Sequence, residues 1–313
     1  MQNHSLPPTS ARELTSLWLD GASPSDSDLR AANSLAAHLA TFDGLRPFPG
    51  VIQRLIDHVS TPDFSLDEAC RLIESDPALA SRILRVANSA AYGAYGSCAS
   101  VAQAIFRIGA THVSGLAIAM SAMTMFKDLG GVGERIRDHS AGTAAVAREL
   151  AMCFNQHALS SKVFLAGLLH DFGKLLLIQT GDPSYASMVA RDLSAGSLHL
   201  REQAMWGFDH AILGAHILAS WRIPEPIPQL IACHHQTKGG QGAVTAFARA
   251  LDLLRVADVI DWLLGQGCTA DSPWVKRLSE SPDGVRAGLG EQTLPALWQH
   301  LRSVREEALL VFK

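Results

Sequence analysis

None of the chain's 14 prolines falls between Pro77 and Pro183, a stretch rich in Ala, Leu, Ile and Met. A proline inside a helix removes a hydrogen bond and clashes with the preceding turn, so a gap of this kind predicts long helices. Helix starts are equally legible. Ser65-Leu66-Asp67-Glu68 and Ser100-Val101-Ala102-Gln103 have the form of capping boxes, and Asp76 stands before a proline in the first helical position. Strict β-branched alternation is missing and aromatic residues are only 6% of the chain, which leaves no basis for strands. The expected fold is all-α.

The helices divide into blocks. Residues 1–44 carry two short amphipathic stretches, Ala11–Leu19 and Asp28–Phe42, and read as an N-terminal helical extension. Arg46-Pro47-Phe48-Pro49-Gly50 opens a first helical region over 45–127, and the glycines of Asp128–Gly133 mark a break before a second region over 134–265. Lys238–Gly242 is a loop within that second region, and residues 266–313 form a tail that ends in a helix over Leu294–Phe312.

A 48% hydrophobic content excludes general disorder and supplies a sizeable core. The net charge of −4, with no run of Lys or Arg, gives no electrostatic footprint for nucleic acid. The opening residues lack a basic segment followed by an apolar one, so a cytoplasmic location is expected. Membrane association is not expected either, since the longest apolar stretch, Leu116–Phe126, falls short of the ~20 residues of a span. The five cysteines form no CxxC pair and are read as small buried apolar residues.

The chemistry concentrates in Ser161–Thr180, where apolar residues point in nearly every direction around a helix. Such a helix is expected to be central and buried. It nevertheless carries His170, Asp171 and Lys174. An ionised carboxylate there costs several kcal/mol unless it is compensated, by Lys174 one turn on or by a divalent metal held with His170. Further candidate ligands are His139, His210, the pair His234-His235, and Asp258. Imidazole and carboxylate together suit Fe, Mn, Zn or Ni. Asp258 also belongs to a stripe of Asp252, Arg255, Asp258 and Asp261, which equally fits a face turned to water. His157, His199, His216 and His300 fit no set and are read as structural or surface residues. Asn88 and Gly93 read as a helix ending, with a partner-contact site as the rival reading.

The order His, His-Asp with a Lys three residues later, His, His-His and Asp resembles the HD superfamily of metal-dependent phosphohydrolases. Within it, Leu45–Val51, Glu74–Leu79, Leu84–Ala90, Ala104–Gly109, Gly167–Lys174, Gly207–Gly214 and Trp221–His235 resemble the HDOD family, the HD-related output domain. The resemblance implies an HDOD-specific helical lobe packed on an HD-like helical core. It further implies that His139, His170, Asp171 and Asp258 hold one metal, that Asp171 bridges to a second held by His210, His234 and His235, and that Lys174 contacts a substrate phosphate. Asp171 and Lys174 are thereby the candidate catalytic residues. The related HD-GYP phosphodiesterases carry Gly-Tyr-Pro after His-His, whereas no tyrosine follows Tyr185 here, which argues against cyclic-di-GMP. They often place Glu after His-His and a Glu four residues before the first His, where this chain has Gln236 and Arg135, which argues against a trinuclear site.

Two functions are therefore expected to compete. One is a bacterial signal-transduction output module that binds a protein partner or a small phosphorylated ligand, with a His/Asp metal site. The other is an active metal-dependent phosphohydrolase on a phosphomonoester, nucleotide or cyclic nucleotide. A third possibility is a buried polar network that never binds metal.

Overall fold

The computed structural model describes residues 14–15, 26–42, 50–59, 65–89, 97–126, 129–191, 197–236 and 245–312. Most of Ala11–Leu19, the Arg46–Pro49 segment, Ala90–Gly93, Asp128 and the Lys238–Gly242 loop lie outside these residues. The described residues contain helices and no strand.

The first helices are α1 (Asp26–Thr41), α2 (Gly50–Val59), α3 (Leu66–Glu74), α4 (Pro77–Ala87), α5 (Val101–Ile108) and α6 (Ala110–Thr124). Their starts are capped as the residues dictate. Ser65 Oγ accepts the Glu68 N–H at 3.4 Å, Ser100 Oγ accepts that of Gln103 at 3.2 Å, and Asp76 Oδ1 accepts those of Ala78 and Leu79 at 3.0 and 3.1 Å. Asn88 ends α4, but its side chain grips the backbone of Cys98, donating to the carbonyl at 2.9 Å and accepting the N–H at 2.6 Å.

Next come α7 (Gly130–Cys153), α8 (His157–Leu169), α9 (Phe172–Gln179), α10 (Pro183–Arg191), α11 (Leu198–Trp206), α12 (His210–Ser220), α13 (Ile227–Cys233) and α14 (Ala246–Gly265). Gly130, Gly131 and Gly133 are the first turn of α7 rather than a break before it. The chain closes with α15 (Pro273–Ser279), α16 (Pro282–Ala287) and α17 (Thr293–Phe312).

Helix α7 is the axis of the molecule, with α8, α14 and α17 packed along it, while α6 joins the α2–α5 group to α8. One continuous apolar core runs from Leu14 to Leu301. Helix α1 packs on α11 and α12, with the His38 ring 4.8 Å from that of Phe208. No single helix among the described residues is long and apolar enough to cross a membrane. All five cysteines are free; Cys98 and Cys233 are buried as expected, but Cys153 is exposed at the end of α7.

Two glycines let α9 and α12 cross at backbone contact. A Cβ on Gly173 would lie 1.9 Å from the His210 carbonyl oxygen, and one on Gly214 would lie 2.9 Å from the Gly173 nitrogen. Backbone cannot swing aside as a side chain can, so Gly173→Ala is expected to cost about 3 kcal/mol in urea unfolding. Gly131→Ala, which meets nothing within 4 Å, is the matched control and should be neutral or stabilising.

His216 supplies a pH test away from the histidine cluster. It is 7% exposed, with Nε2 3.1 Å from Thr15 Oγ1, and burial lowers its pKa from 6.5 to about 4. Between these values the unfolded chain binds a proton that the folded chain refuses. This stabilisation is whole above pH 6.5, erodes as the pH falls and is gone below 4. Chemical denaturation across that window should show the parent losing about 3 kcal/mol more than His216→Gln, which does not titrate.

Candidate metal centre

Five separate elements deliver the candidate ligands. His139 projects from the middle of α7, Asp258 from α14, and His234 and His235 stand at the end of α13. His210 is the first residue of α12, where Gly207 ends α11 at φ 80° and Asp209 caps α12 by accepting the Ile212 N–H at 3.1 Å. His170 and Asp171 correct the expectation of one helix over Ser161–Thr180. They occupy a turn between α8 and α9 and lie 1% exposed. At this turn both side chains face one cluster, with His170 Nε2 3.4 Å from Asp171 Oδ1.

That cluster brings together every residue proposed from the sequence. Asp171 Oδ1 is 3.2 Å from His210 Nε2 and 3.4 Å from His170 Nε2, while Lys174 Nζ donates to Asp171 Oδ2 at 2.7 Å. His139 Nε2 is 2.9 Å from Asp258 Oδ1, and His210 Nε2 is 3.1 Å from His235 Nε2. Three overlapping sets have ligand atoms within 4.8 Å of one another: His139, His170 and Asp258; His170, Asp171 and His234; and His210, His234 and His235. His139, Asp171, Lys174, His210, His235 and Asp258 also line a cavity of about 310 Å³.

The outer nitrogen of each imidazole determines what the inner one offers. His170 Nδ1 lies 2.8 Å from the Gly167 carbonyl and His234 Nδ1 2.6 Å from that of Ile231. A carbonyl only accepts, so both rings carry their proton on Nδ1 and direct an Nε2 lone pair inward. Both Nε2 atoms are buried without a hydrogen-bond partner. Burial holds the pKa of His170 down and that of His234 well down, keeping them neutral. An inward lone pair with nothing to accept from is a donor set suited to a metal.

His139 and His210 differ because carboxylates flank them on both sides. Burial disfavours a charge on His139, but hydrogen bonds to Asp258 and Asp261 prevail and raise its pKa to about 10. For His210, burial is likewise outweighed by the Glu202 charge and contacts with Asp171, and its pKa rises to about 9. Burial works against the charged form of Asp171, yet the Lys174 ammonium and the hydrogen bond from protonated His210 hold it well below the usual carboxylate range.

Several contributors were not among the sequence candidates. Glu202 on α11, 0% exposed, accepts the His210 N–H at 2.8 Å and faces His210 Nδ1 at 2.7 Å, and Tyr185 donates to its other oxygen at 2.6 Å. Asp261 lies 2.7 Å from His139 Nδ1. His199, read as structural or surface, stacks on His235 with ring centroids 4.3 Å apart and lines the cavity. Arg135 lines it too, from an exposed position on α7. The solvent-face reading of the α14 stripe fails. Asp252, Arg255 and Asp261 are buried, Asp258 faces His139, and Arg255 donates to the carbonyls of Cys233 and His234.

Comparison with known proteins gives one curated relative, three solved structures and a family match. A bacterial relative from Treponema pallidum, an uncharacterised protein, is 25% identical over 207 residues, which cover 64% of this chain and 40% of the relative. The chain thus spans less than half the length of that relative. An HDOD domain protein of unknown function from Geobacter sulfurreducens has the same fold, with a TM-score of 0.69, 21% identity, and 92% and 98% of the two chains covered. A candidate phosphohydrolase from Shewanella amazonensis matches with a TM-score of 0.67, 23% identity, and coverage of 88% and 97%. A candidate signal-transduction protein from Marinobacter aquaeolei matches with a TM-score of 0.63, 22% identity, and coverage of 97% and 68%. The HDOD domain family model matches residues 45–237, more than half of the chain, and this chain belongs to the HDOD family.

Proposed function

We propose that the chain is a bacterial signal-transduction output module whose His/Asp cluster holds a divalent metal and binds a small phosphorylated ligand beside it. Residues 45–127 form its HDOD-specific lobe and 134–265 its HD-like lobe. The observation that carries the reading is the pair of buried Nε2 atoms on His170 and His234, aimed into the cluster with no partner. His139, His170, Asp171 and Asp258 would hold one ion, and His210, His234 and His235 a second, with Asp171 between them. The mixed donors suit Fe, Mn, Zn or Ni. A bound ion supplies Lewis acidity toward a phosphoryl oxygen.

The chain's own residues do the rest. Lys174 neutralises Asp171 Oδ2 and leaves Oδ1 among the histidines. Arg135 and Lys174 face the same cavity and present cationic groups to a phosphate. A second reading, an active phosphohydrolase, is supported by Lys174, whose side chain remains 17% exposed toward that cavity while it holds Asp171.

Metal binding is tested by melting the stripped protein with and without Mn²⁺ or Zn²⁺. An ion at 100 times its Kd should add about 2.7 kcal/mol, seen as a rise of several degrees in Tm. His170→Ala with His234→Ala should abolish the rise. A Tm indifferent to both ions would leave the buried polar network as the correct reading.

Asp171→Ala separates the module from the hydrolase. Removing the carboxylate leaves Lys174 without its counter-charge, an expected loss of about 3 kcal/mol that Lys174→Met in the same chain should partly restore. The module reading expects no turnover by the parent protein on a panel of phosphomonoesters, nucleotides and cyclic nucleotides. Turnover by the parent that Asp171→Ala abolishes in a still-folded chain would establish the hydrolase.

A further inference from the structure

The C-terminal helix α17 lies far outside the stretch matched by the family, yet it reaches the cluster. Arg305 on α17 donates from Nε to Asp261 Oδ1 at 2.7 Å, and Asp261 Oδ2 lies 2.7 Å from His139 Nδ1. An ionised carboxylate cannot donate, so His139 carries a proton on Nδ1 and turns Nε2 toward Asp258, 2.9 Å away. Asp261 is 1% exposed. A buried carboxylate held by a guanidinium on one oxygen and an imidazole on the other has little freedom to turn.

The backbone is shaped around this chain of contacts. Gly142 sits three residues beyond His139 on α7, and a Cβ there would lie 1.7 Å from Asp261 Oδ1. Gly265, at the end of α14, leaves room for the guanidinium, since a Cβ there would lie 3.2 Å from Arg305 Nη2. Helix α17 is itself anchored, with Leu294, Trp298 and Leu301 buried. Trp298 Nε1 and Arg302 Nη2 donate to the Cys268 carbonyl at 3.0 and 2.7 Å.

We propose that Arg305 and Asp261 are positioning residues for the metal centre: the C-terminal helix, through Arg305 and Asp261, keeps a proton on His139 Nδ1 and fixes the orientation of the ring. The inference rests on the metal reading above for its consequence, a tighter site, but not for the contact chain itself. Carboxylates behind a ligating histidine contribute about 10- to 100-fold to metal affinity. An Asn at 261 would offer an N–H₂ as well as an oxygen, and would no longer force the proton onto Nδ1.

The test uses the full chain, stripped of metal, as parent, Arg305→Met, Arg305→Lys and Asp261→Asn. Two quantities are read, the Mn²⁺ or Zn²⁺ affinity by calorimetric titration and the His139 Nδ1–H···Asp261 hydrogen bond, seen as a downfield Nδ1–H signal in ¹H–¹⁵N NMR of the metal-free protein. Arg305→Met should weaken affinity by about 10-fold and Asp261→Asn by about 100-fold, with Arg305→Lys close to the parent. The downfield Nδ1–H signal of the parent should be lost or moved upfield in Asp261→Asn. Variants that bind either ion within twofold of the parent, with only Tm reduced, would show a purely structural ion pair and overturn the inference. Should the parent bind neither ion, the metal reading fails, and the NMR still decides: an unaltered His139 signature in Arg305→Met and Asp261→Asn overturns the positioning role, whereas its loss upholds it. Where Arg305→Met does not fold, Asp261→Asn, which preserves shape, supplies the same decision.

Discussion

A carboxylate without access to water organises the centre of this molecule. Asp171 is 1% exposed, and an isolated charge at such a depth costs several kcal/mol. Lys174 compensates one oxygen from the next turn of the chain, and the imidazoles of His170 and His210 crowd the other. Because His210 begins α12, the placement of that helix relative to the α8–α9 turn is tied to a single charge. Displacing either element would leave a buried polar group unpaired, which is why such a network is all-or-none in its energetics.

Packing and electrostatics are two descriptions of the same contact here. His210 comes within 3.2 Å of Asp171 because Gly173 and Gly214 allow α9 and α12 to touch through their backbones. The Gly207–His210 segment does the same service locally. Its left-handed glycine ends α11, Asp209 caps α12, and Glu202 from α11 then holds both the backbone and the ring of His210. Helix punctuation and ligand orientation come from the same four residues and their one buried partner.

The sequence made the helical class and the ligand set legible because both are written in local signals. Proline spacing, capping residues and a His-Asp doublet in an apolar stretch need no knowledge of distant chain. The order of the histidines then carried the family resemblance. What stayed hidden depends on contacts between elements remote in sequence. Asp261 meets His139 across 122 residues and Arg305 meets Asp261 across 44, and no local pattern marks such a pair. The α14 stripe misled for a related reason: a period of three is the same whether the stripe meets solvent or another helix. His199 was hidden because its partner, His235, lies 36 residues on, in the turn after α13. The break at His170-Asp171 escaped notice because a turn buried between two apolar segments needs neither glycine nor proline at the turn itself.

The outer partners of the imidazoles also settle the charge of the cluster. Among the described residues, Asp171, Glu202, Asp258 and Asp261 contact its histidines, while Lys174 and Arg305 are the permanent cations that contact those carboxylates. With the carboxylates ionised, two positive charges are missing, and a buried interior does not tolerate that deficit. His139 and His210 are the two histidines whose Nδ1 faces a carboxylate, and their pKa values are raised to about 10 and about 9. Their protons make up the deficit. His170 and His234, whose Nδ1 faces a carbonyl, stay neutral and keep an inward lone pair. A ligating imidazole must be neutral, so an ion held with His139 or with His210 would displace that ring's inward proton.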